Sequence, residues 1–265
     1  MMRFITTCTA ALLLPVLLGA QSGAKQQSAV AALQAKLSAE LKNQNSAYRA
    51  ASTALRKSEA YKQAVADKDR RKMTELRGTL TRPDTKGLAQ KAVDAAGHFQ
   101  GDDAVKLLSW AAVNGRDADI TKAVAAELQA KHMKSAAIVA LLEKGNLLAR
   151  PLGRDGSEAF LDKVIAESPH DVAKAWAYYW KSRPLSGRGA SDDDKAKGAD
   201  LAAQAEKLAG NHWLGDKIRG PKFKEEMLQV GLVAPNIVGE DIDGVKFQLE
   251  DYRGKVVVLD FWGFW

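Results

Sequence analysis

The chain has 265 residues, 46% of them hydrophobic and 27% charged, with a net charge of +7, 21 glycines, 7 prolines and one cysteine. That length makes one or two domains with a real core; the apolar fraction excludes a disordered polymer, and the glycine and proline counts exclude a collagen-like or linker protein. A single thiol excludes, within these residues, a disulfide framework, a multi-cysteine zinc site, an iron–sulfur cluster and dithiol redox chemistry, because each needs several thiolates converging on one point.

Residues 1–24 read as a secretory signal peptide. Arg3 supplies the positive start, Phe4 through Leu18 the apolar stretch, and Ser22-Gly23-Ala24 small side chains before a cut after Ala24, with Leu18-Gly19-Ala20 as a poorer alternative. An uncleaved anchor is the competing reading, but the apolar run falls short of the ~20 residues that span a bilayer and Pro15 interrupts it. The sole cysteine, Cys8, sits inside this leader, so the exported form is expected to carry no thiol and to reside in the periplasm or cell envelope. No later segment is apolar enough to be transmembrane.

Residues 25–228 are rich in Ala, Leu, Lys, Glu and Gln, with apolar side chains at helical spacing. Val30, Leu33, Leu37 and Leu41 stripe a first helix, and the basic stretch after it continues the pattern with Tyr61, Val65 and Leu76, amphipathic and not membrane helices, up to the break at Thr81-Arg82-Pro83. Short helices follow, carrying Val105, Leu108 and Ala112; Ile120, Ala123, Val124 and Leu128; Ile138, Leu141 and Leu142; Phe160, Leu161, Val164 and Ile165; and then Val172, Ala175, Trp176 and Tyr179, the last opened by Ser168-Pro169. Junctions near His98 and His132 lie 34 residues apart and the next, at His170, 38 further on, which points to a degenerate tetratricopeptide-like repeat able to dock a partner. The three histidines read as helix-end residues rather than metal ligands, and no metal or other cofactor is expected. Asp192-Asp193-Asp194 follows Ser191 as a helix start, without the alternating spacing of a calcium loop. The basic cluster Lys68, Arg70, Arg71 and Lys72, with Arg77 and Arg82, lacks interleaved aromatics and reads as a solvated face or a weak contact to anionic envelope material, not a nucleic-acid site.

From 229 the texture becomes β-like, and a second domain is expected over 229–265. Gly231 through Ile237 is an extended entry fixed by Pro235; Asp241-Ile242-Asp243-Gly244 supplies a turn between strands Ile237–Glu240 and Val245–Leu249. The loop Asp251-Tyr252-Arg253-Gly254 then leads into Lys255 through Trp262, an apolar run without alternation, as in a central strand covered on both faces.

Residues 231–265 resemble the opening of a thioredoxin-like redoxin domain of the TlpA or AhpC/TSA group. The likeness rests on Ala234-Pro235, Asp241 with Gly244, Leu249-Glu250-Asp251-Tyr252-Arg253-Gly254-Lys255, the strand Val256 to Asp260, and Phe261-Trp262-Gly263-Phe264-Trp265, after which the family places Cys-x-x-Cys. The fold class expected is therefore mainly α: a helical-repeat domain, then an incomplete α/β thioredoxin-like domain holding its N-terminal hairpin and first central strand. The resemblance implies an exported thiol–disulfide oxidoreductase, with antioxidant redoxins as relatives, acting on a protein disulfide or thiol. The Phe-Trp-x-x-Trp ending favours the Cys-x-x-Cys type over a peroxidatic one.

The resemblance also implies site roles. Asp260 ends an apolar strand, where the family places a carboxylate that exchanges a proton with the buried thiol; a solvated strand end is the equal alternative. Trp262 and Trp265 match aromatics that flank the redox pair and receive substrate, although Trp262 also fits a core position. Without the catalytic cysteines, these residues alone are expected to be inactive in dithiol exchange. A non-catalytic helical docking module in the envelope is the second functional reading. A third is an unstable C-terminal stub whose Val256, Val258, Phe261 and Trp262 form a sticky edge.

Overall fold

The computed structural model describes residues 23–145 and 147–262, and the leader with Cys8 lies outside them apart from Gly23 and Ala24. The chain divides into two compact units, Met1–Phe160 and Leu161–Trp265.

Helices of the first unit are α1 (Gly23–Lys57), α2 (Glu59–Ala66), α3 (Arg70–Gly78), α4 (Thr85–Ala96), α5 (Gly101–Gly115), α6 (Ala118–Glu127), a π-helical turn (Leu128–His132), α7 (Ile138–Glu143) and the start of α8 (Ala149–Glu167). Four of them begin where a short polar side chain satisfies free backbone N–H groups. Ser58 accepts from the Tyr61 amide at 3.3 Å, Asp69 from Lys72 at 2.9 Å, Asp84 from Gly87 at 2.8 Å, and Asp117 from both Asp119 and Ile120 at 3.0 Å. These caps split the long basic stretch at Ser58 and Asp69, so Tyr61 and Leu76 lie on separate short helices and Val65 is exposed. Arg77 closes the pair by donating from Nε to the Tyr61 hydroxyl at 3.0 Å, with its guanidinium over the ring.

α5 is the centre of this unit, with Ala104, Val105, Leu107, Leu108, Ala111 and Ala112 all buried. α1 docks on it through apolar Val30 and Leu37 and two flanking hydrogen bonds, Gln34 Nε2 to the Lys106 carbonyl and Trp110 Nε1 to Ser38 Oγ, both 2.9 Å. α4 comes closer still, because Gly115 has no side chain to hold Ala89 away. On α6, Ile120, Val124 and Ala125 face inward, whereas Ala123, expected on that stripe, is exposed.

The second unit contains the end of α8, then α9 (Asp171–Leu185), α10 (Asp192–Ala209), α11 (Trp213–Met227), two short strands and a 3-10 turn. α9 and α10 pack together along their lengths, burying Ala173, Trp176 and Ala177 on one and Ala205 and Ala209 on the other. Trp176 anchors an aromatic cluster, stacked on Trp180 at 5.9 Å and edge-on to Trp213 at 5.2 Å. Ser191 caps α10 as expected, accepting from the Asp194 amide at 3.1 Å while its hydroxyl donates to the Asp194 carboxylate at 2.8 Å.

The class expected from the sequence, mainly α with a short β segment after it, is the one observed. β1 (Val238–Glu240) and β2 (Lys246–Gln248) form an antiparallel pair in which Gly239 faces Phe247. One element differs. Residues 255–262, expected as a doubly covered strand, join no sheet, and Val256 and Val258 are 98% and 88% exposed. A buried central strand needs neighbours on both edges, and among the described residues the two strands present pair with each other.

Candidate functional site

The segment that carries the sequence motifs is held by short-range polar contacts. At the hairpin, the Asp241 carbonyl accepts from the Gly244 amide at 3.0 Å, and Asp241 Oδ1 accepts from the amides of Asp243 and Val245 at 2.9 and 2.8 Å. Gly244 at φ +78° supplies the left-handed residue that a three-residue hairpin loop requires. This is the physical content of the D-x-x-G motif.

The entry strand is tied to the following turn by Asn236. Its Nδ2 donates to Gln248 Oε1 and its Oδ1 accepts from the Glu250 amide, both at 3.0 Å. The 3-10 turn Leu249–Tyr252 is closed by a reciprocal capping arrangement in which Asp251 accepts from the Gln248 amide at 3.2 Å and from its side chain at 3.1 Å. Arg253 then pairs with Glu250 at 3.0 Å, and Gly254 turns the chain at φ +84°. The Leu-Glu-Asp-Tyr-Arg-Gly-Lys loop is thus a compact turn in which Glu250, Asp251 and Arg253 find local partners; Lys255 lies over the Tyr252 ring at 5.9 Å. Asn236 was not singled out from the sequence. Its signal is an amide directly after a proline at the mouth of a strand, which suits backbone bracing.

Beyond the turn, Val233, Ala234, Leu249, Tyr252, Val257 and Leu259 line a cleft of ≈ 230 Å³, with Arg253 and Lys255 at its edge. Exposure alternates along the last run: Val257 and Leu259, at 41% and 50%, lean towards the cleft, while Val256 and Val258 stand free. Over residues 256–259 the exposure follows the two-residue period of a strand, although they join no sheet. Asp260 is exposed and Trp262 is 73% exposed; Trp265, together with Gly263 and Phe264, lies outside the described residues. The structure does not bring Asp260 beside another titratable group of the motif.

Of the other residues weighed from the sequence, His132 is buried at the end of the π-helical turn, its Nε2 4.0 Å from Glu127, and burial pulls its pKa below the usual value against the pull of that carboxylate. His98 follows α4 and His170 precedes α9. Among the described residues no three His, Cys, Asp or Glu side chains gather as a metal site, and no helix is long and apolar enough to cross a membrane.

No protein-family model matches the chain, and no solved structure matches it. Curated relatives do. A thiol-disulfide oxidoreductase ResA of Bacillus thuringiensis subsp. konkukian is 50% identical over 42 residues, 16% of this chain and 24% of that protein. The protein of the same name from Geobacillus thermodenitrificans is 45% identical over 53 residues, 20% of this chain and 30% of its own length. That of Bacillus subtilis is 46% identical over 41 residues, 16% and 23% respectively. The chain thus spans about a quarter of the length of these relatives. The likeness is to thiol–disulfide oxidoreductases and supports a thioredoxin-like family for the stretch that carries it.

Proposed function

We propose that the chain is a thiol–disulfide oxidoreductase of the thioredoxin-like kind, exported to the cell envelope, in which residues 25–228 form a helical docking region ahead of a redoxin segment, 229–265. The observation that carries the reading is half-identity over 42 residues to named thiol-disulfide oxidoreductases, together with the ordered Ala-Pro, D-x-x-G, Asp-Tyr-Arg-Gly-Lys and Phe-Trp-x-x-Trp elements of 231–265. The partner is a protein or small-molecule disulfide or thiol. In such exchange a thiolate attacks the partner disulfide, one partner sulfur leaves as thiolate, and a second protein thiolate resolves the mixed disulfide, leaving the protein oxidised and the partner reduced. The 265 residues hold one cysteine, Cys8, so neither of the two thiolates is supplied by residues 25–265. In this reading Asp260 is the carboxylate that exchanges a proton with the resolving thiol, and Trp262 and Trp265 flank the redox pair.

The decisive experiment is the coding sequence after Trp265 together with a disulfide-reduction assay. A Cys-x-x-Cys codon pair directly downstream, and reduction by the extended chain but not by the 265-residue chain, is the expected result. Equal reduction by both, surviving Cys8→Ser, would remove the chemistry from that motif. Unrelated sequence downstream would leave the second reading, a non-catalytic helical docking protein. Export is tested by N-terminal sequencing of the protein recovered from the envelope, expected to begin at Lys25.

A further inference from the structure

The charge of the chain is concentrated in one place. Residues 42–82, which comprise the end of α1, then α2, α3 and the turn up to Arg82, hold 11 Lys and Arg against 4 Asp and Glu. That surplus equals the net charge of +7 of the whole chain, and outside the segment the two signs balance at 28 each. The four acids are engaged locally. Glu59 pairs with Lys62 at 2.6 Å and Glu75 with Lys72 at 3.0 Å, Asp67 accepts from Gln63 Nε2 at 3.0 Å, and Asp69 caps α3. Of the remaining cations, Lys42, Arg49 and Arg56 recur every seven residues, so they form one exposed row along α1 with about 10 Å between neighbours. Lys68, Arg70 and Arg71 are exposed where α2 gives way to α3, and none of these six forms an ion pair among the described residues.

We infer that this segment lays the first unit against a membrane surface carrying anionic phospholipid headgroups. The kind of surface follows from what accompanies the charge. No exposed side chain of residues 42–82 is aromatic, so a single strand of nucleic acid has nothing to stack on. The row on α1 stands on the convex ridge of a helix with gaps of about 10 Å, and does not converge on one point as a phosphate pocket must. A fluid layer of headgroups moves to meet such cations one by one, whereas a folded protein partner would need carboxylates fixed at the same gaps. Residues 1–24, read as signal or as anchor, take the chain to a membrane. Val65, 50% exposed, is the one large apolar side chain that the segment exposes, so charge and not insertion makes the attachment, which weakens as salt rises.

Co-sedimentation of the full chain with vesicles of phosphatidylcholine, with and without phosphatidylglycerol, gives the ratio of two partition coefficients, in which insertion of the apolar residues 4–18 cancels. The triple variant Lys42→Gln/Arg49→Gln/Arg56→Gln should lower that ratio roughly a hundredfold, about fivefold for each cation near the surface. The triple variant Arg188→Gln/Lys197→Gln/Lys207→Gln removes the same charge from exposed positions of the second unit and should leave the ratio nearly unchanged. Far-ultraviolet circular dichroism should be the same in both, since all six side chains are exposed and glutamine is a good helix former. Equal loss in the two triple variants would trace the binding to net charge alone and overturn the proposal. So would a wild type that does not prefer the anionic vesicles, or one that binds duplex DNA more tightly at the same salt by fluorescence anisotropy. The proposal rests on the envelope reading for the surface it names, but no thiol enters the measurement, so its outcome is separate from the oxidoreductase assignment.

Discussion

Gly115, the last residue of α5, tests how tightly the first unit is built. In a helix interior, alanine is better than glycine by up to about 1 kcal/mol, so Gly115→Ala would ordinarily stabilise. Here the added Cβ would sit 2.7 Å from the Cβ of Ala89 on α4, and Ala89 is fully buried. Two methyl carbons settle at about 3.5–4.0 Å, so the helices must separate by roughly 1 Å, and Ala89 has no rotamer with which to yield. Overpacking of this kind costs about 1–3 kcal/mol, which outweighs the propensity gain and leaves a net loss of about 1–2 kcal/mol. Urea unfolding followed by circular dichroism at the helical minimum would show the midpoint fall. The double variant Ala89→Gly/Gly115→Ala relieves the clash and should recover at least ~1 kcal/mol relative to the sum of the single changes. If Gly115→Ala alone unfolds at the same or a higher urea concentration than the wild type, the close approach of α4 and α5 is not a constraint and the reasoning fails.

Further outcomes follow from the same contacts. His132 has its pKa lowered chiefly by burial, so the unfolded chain takes up a proton first: stability should decline as pH falls below the ordinary value of 6.5, and His132→Gln should flatten that part of a pH–stability curve. The Asp102 carboxyl is held below its ordinary 3.8 mainly by the Ser135 hydroxyl, at 2.5 Å, so its contribution is complete above that pH and disappears as pH falls below it; Asp102→Asn should remove this lower step. Arg116 closes α5 at φ 51°, a left-handed position that disfavours a side chain, so Arg116→Gly should raise the melting temperature by an amount matching about 1 kcal/mol. Limited trypsin digestion should cut first at Lys222, Lys224, Arg253 or Lys255, where every residue is exposed, and leave the helices from α4 to α10 intact by mass spectrometry.

Local signals were legible because local chemistry produces them. Ser191 with Asp194 is a cap in sequence and in structure, and Asp241 with Gly244 is a hairpin turn in both. The inward stripe Ile120 and Val124 was readable from a 3.6-residue period, but the choice of Ala125 over Ala123 was not, because a small side chain tolerates either environment and the neighbouring helix decides. The boundaries between the helices that carry Tyr61 and Leu76 were not legible, because Ser58 and Asp69 look like ordinary surface residues until their side chains are seen on the amides of Tyr61 and Lys72. Asn236, which braces the redoxin-like segment, has no periodicity to announce it, since its partners are Gln248 and the amide of Glu250.

The helical class, the change of texture at residue 229 and the motif order that leads to a thioredoxin-like reading all lie in the order of the amino acids, because they depend on neighbours a few residues apart. Tertiary structure decided what no window contains: that α4 meets α5 at a glycine, that α1 is hydrogen-bonded to α5 across 72 residues at Gln34 and Trp110, and that the apolar run at 256–262 stands unpaired. An apolar strand sequence records only a preference for burial. Whether that preference is met depends on strands that come from elsewhere, and backbone hydrogen bonds form only when those strands are there to receive them.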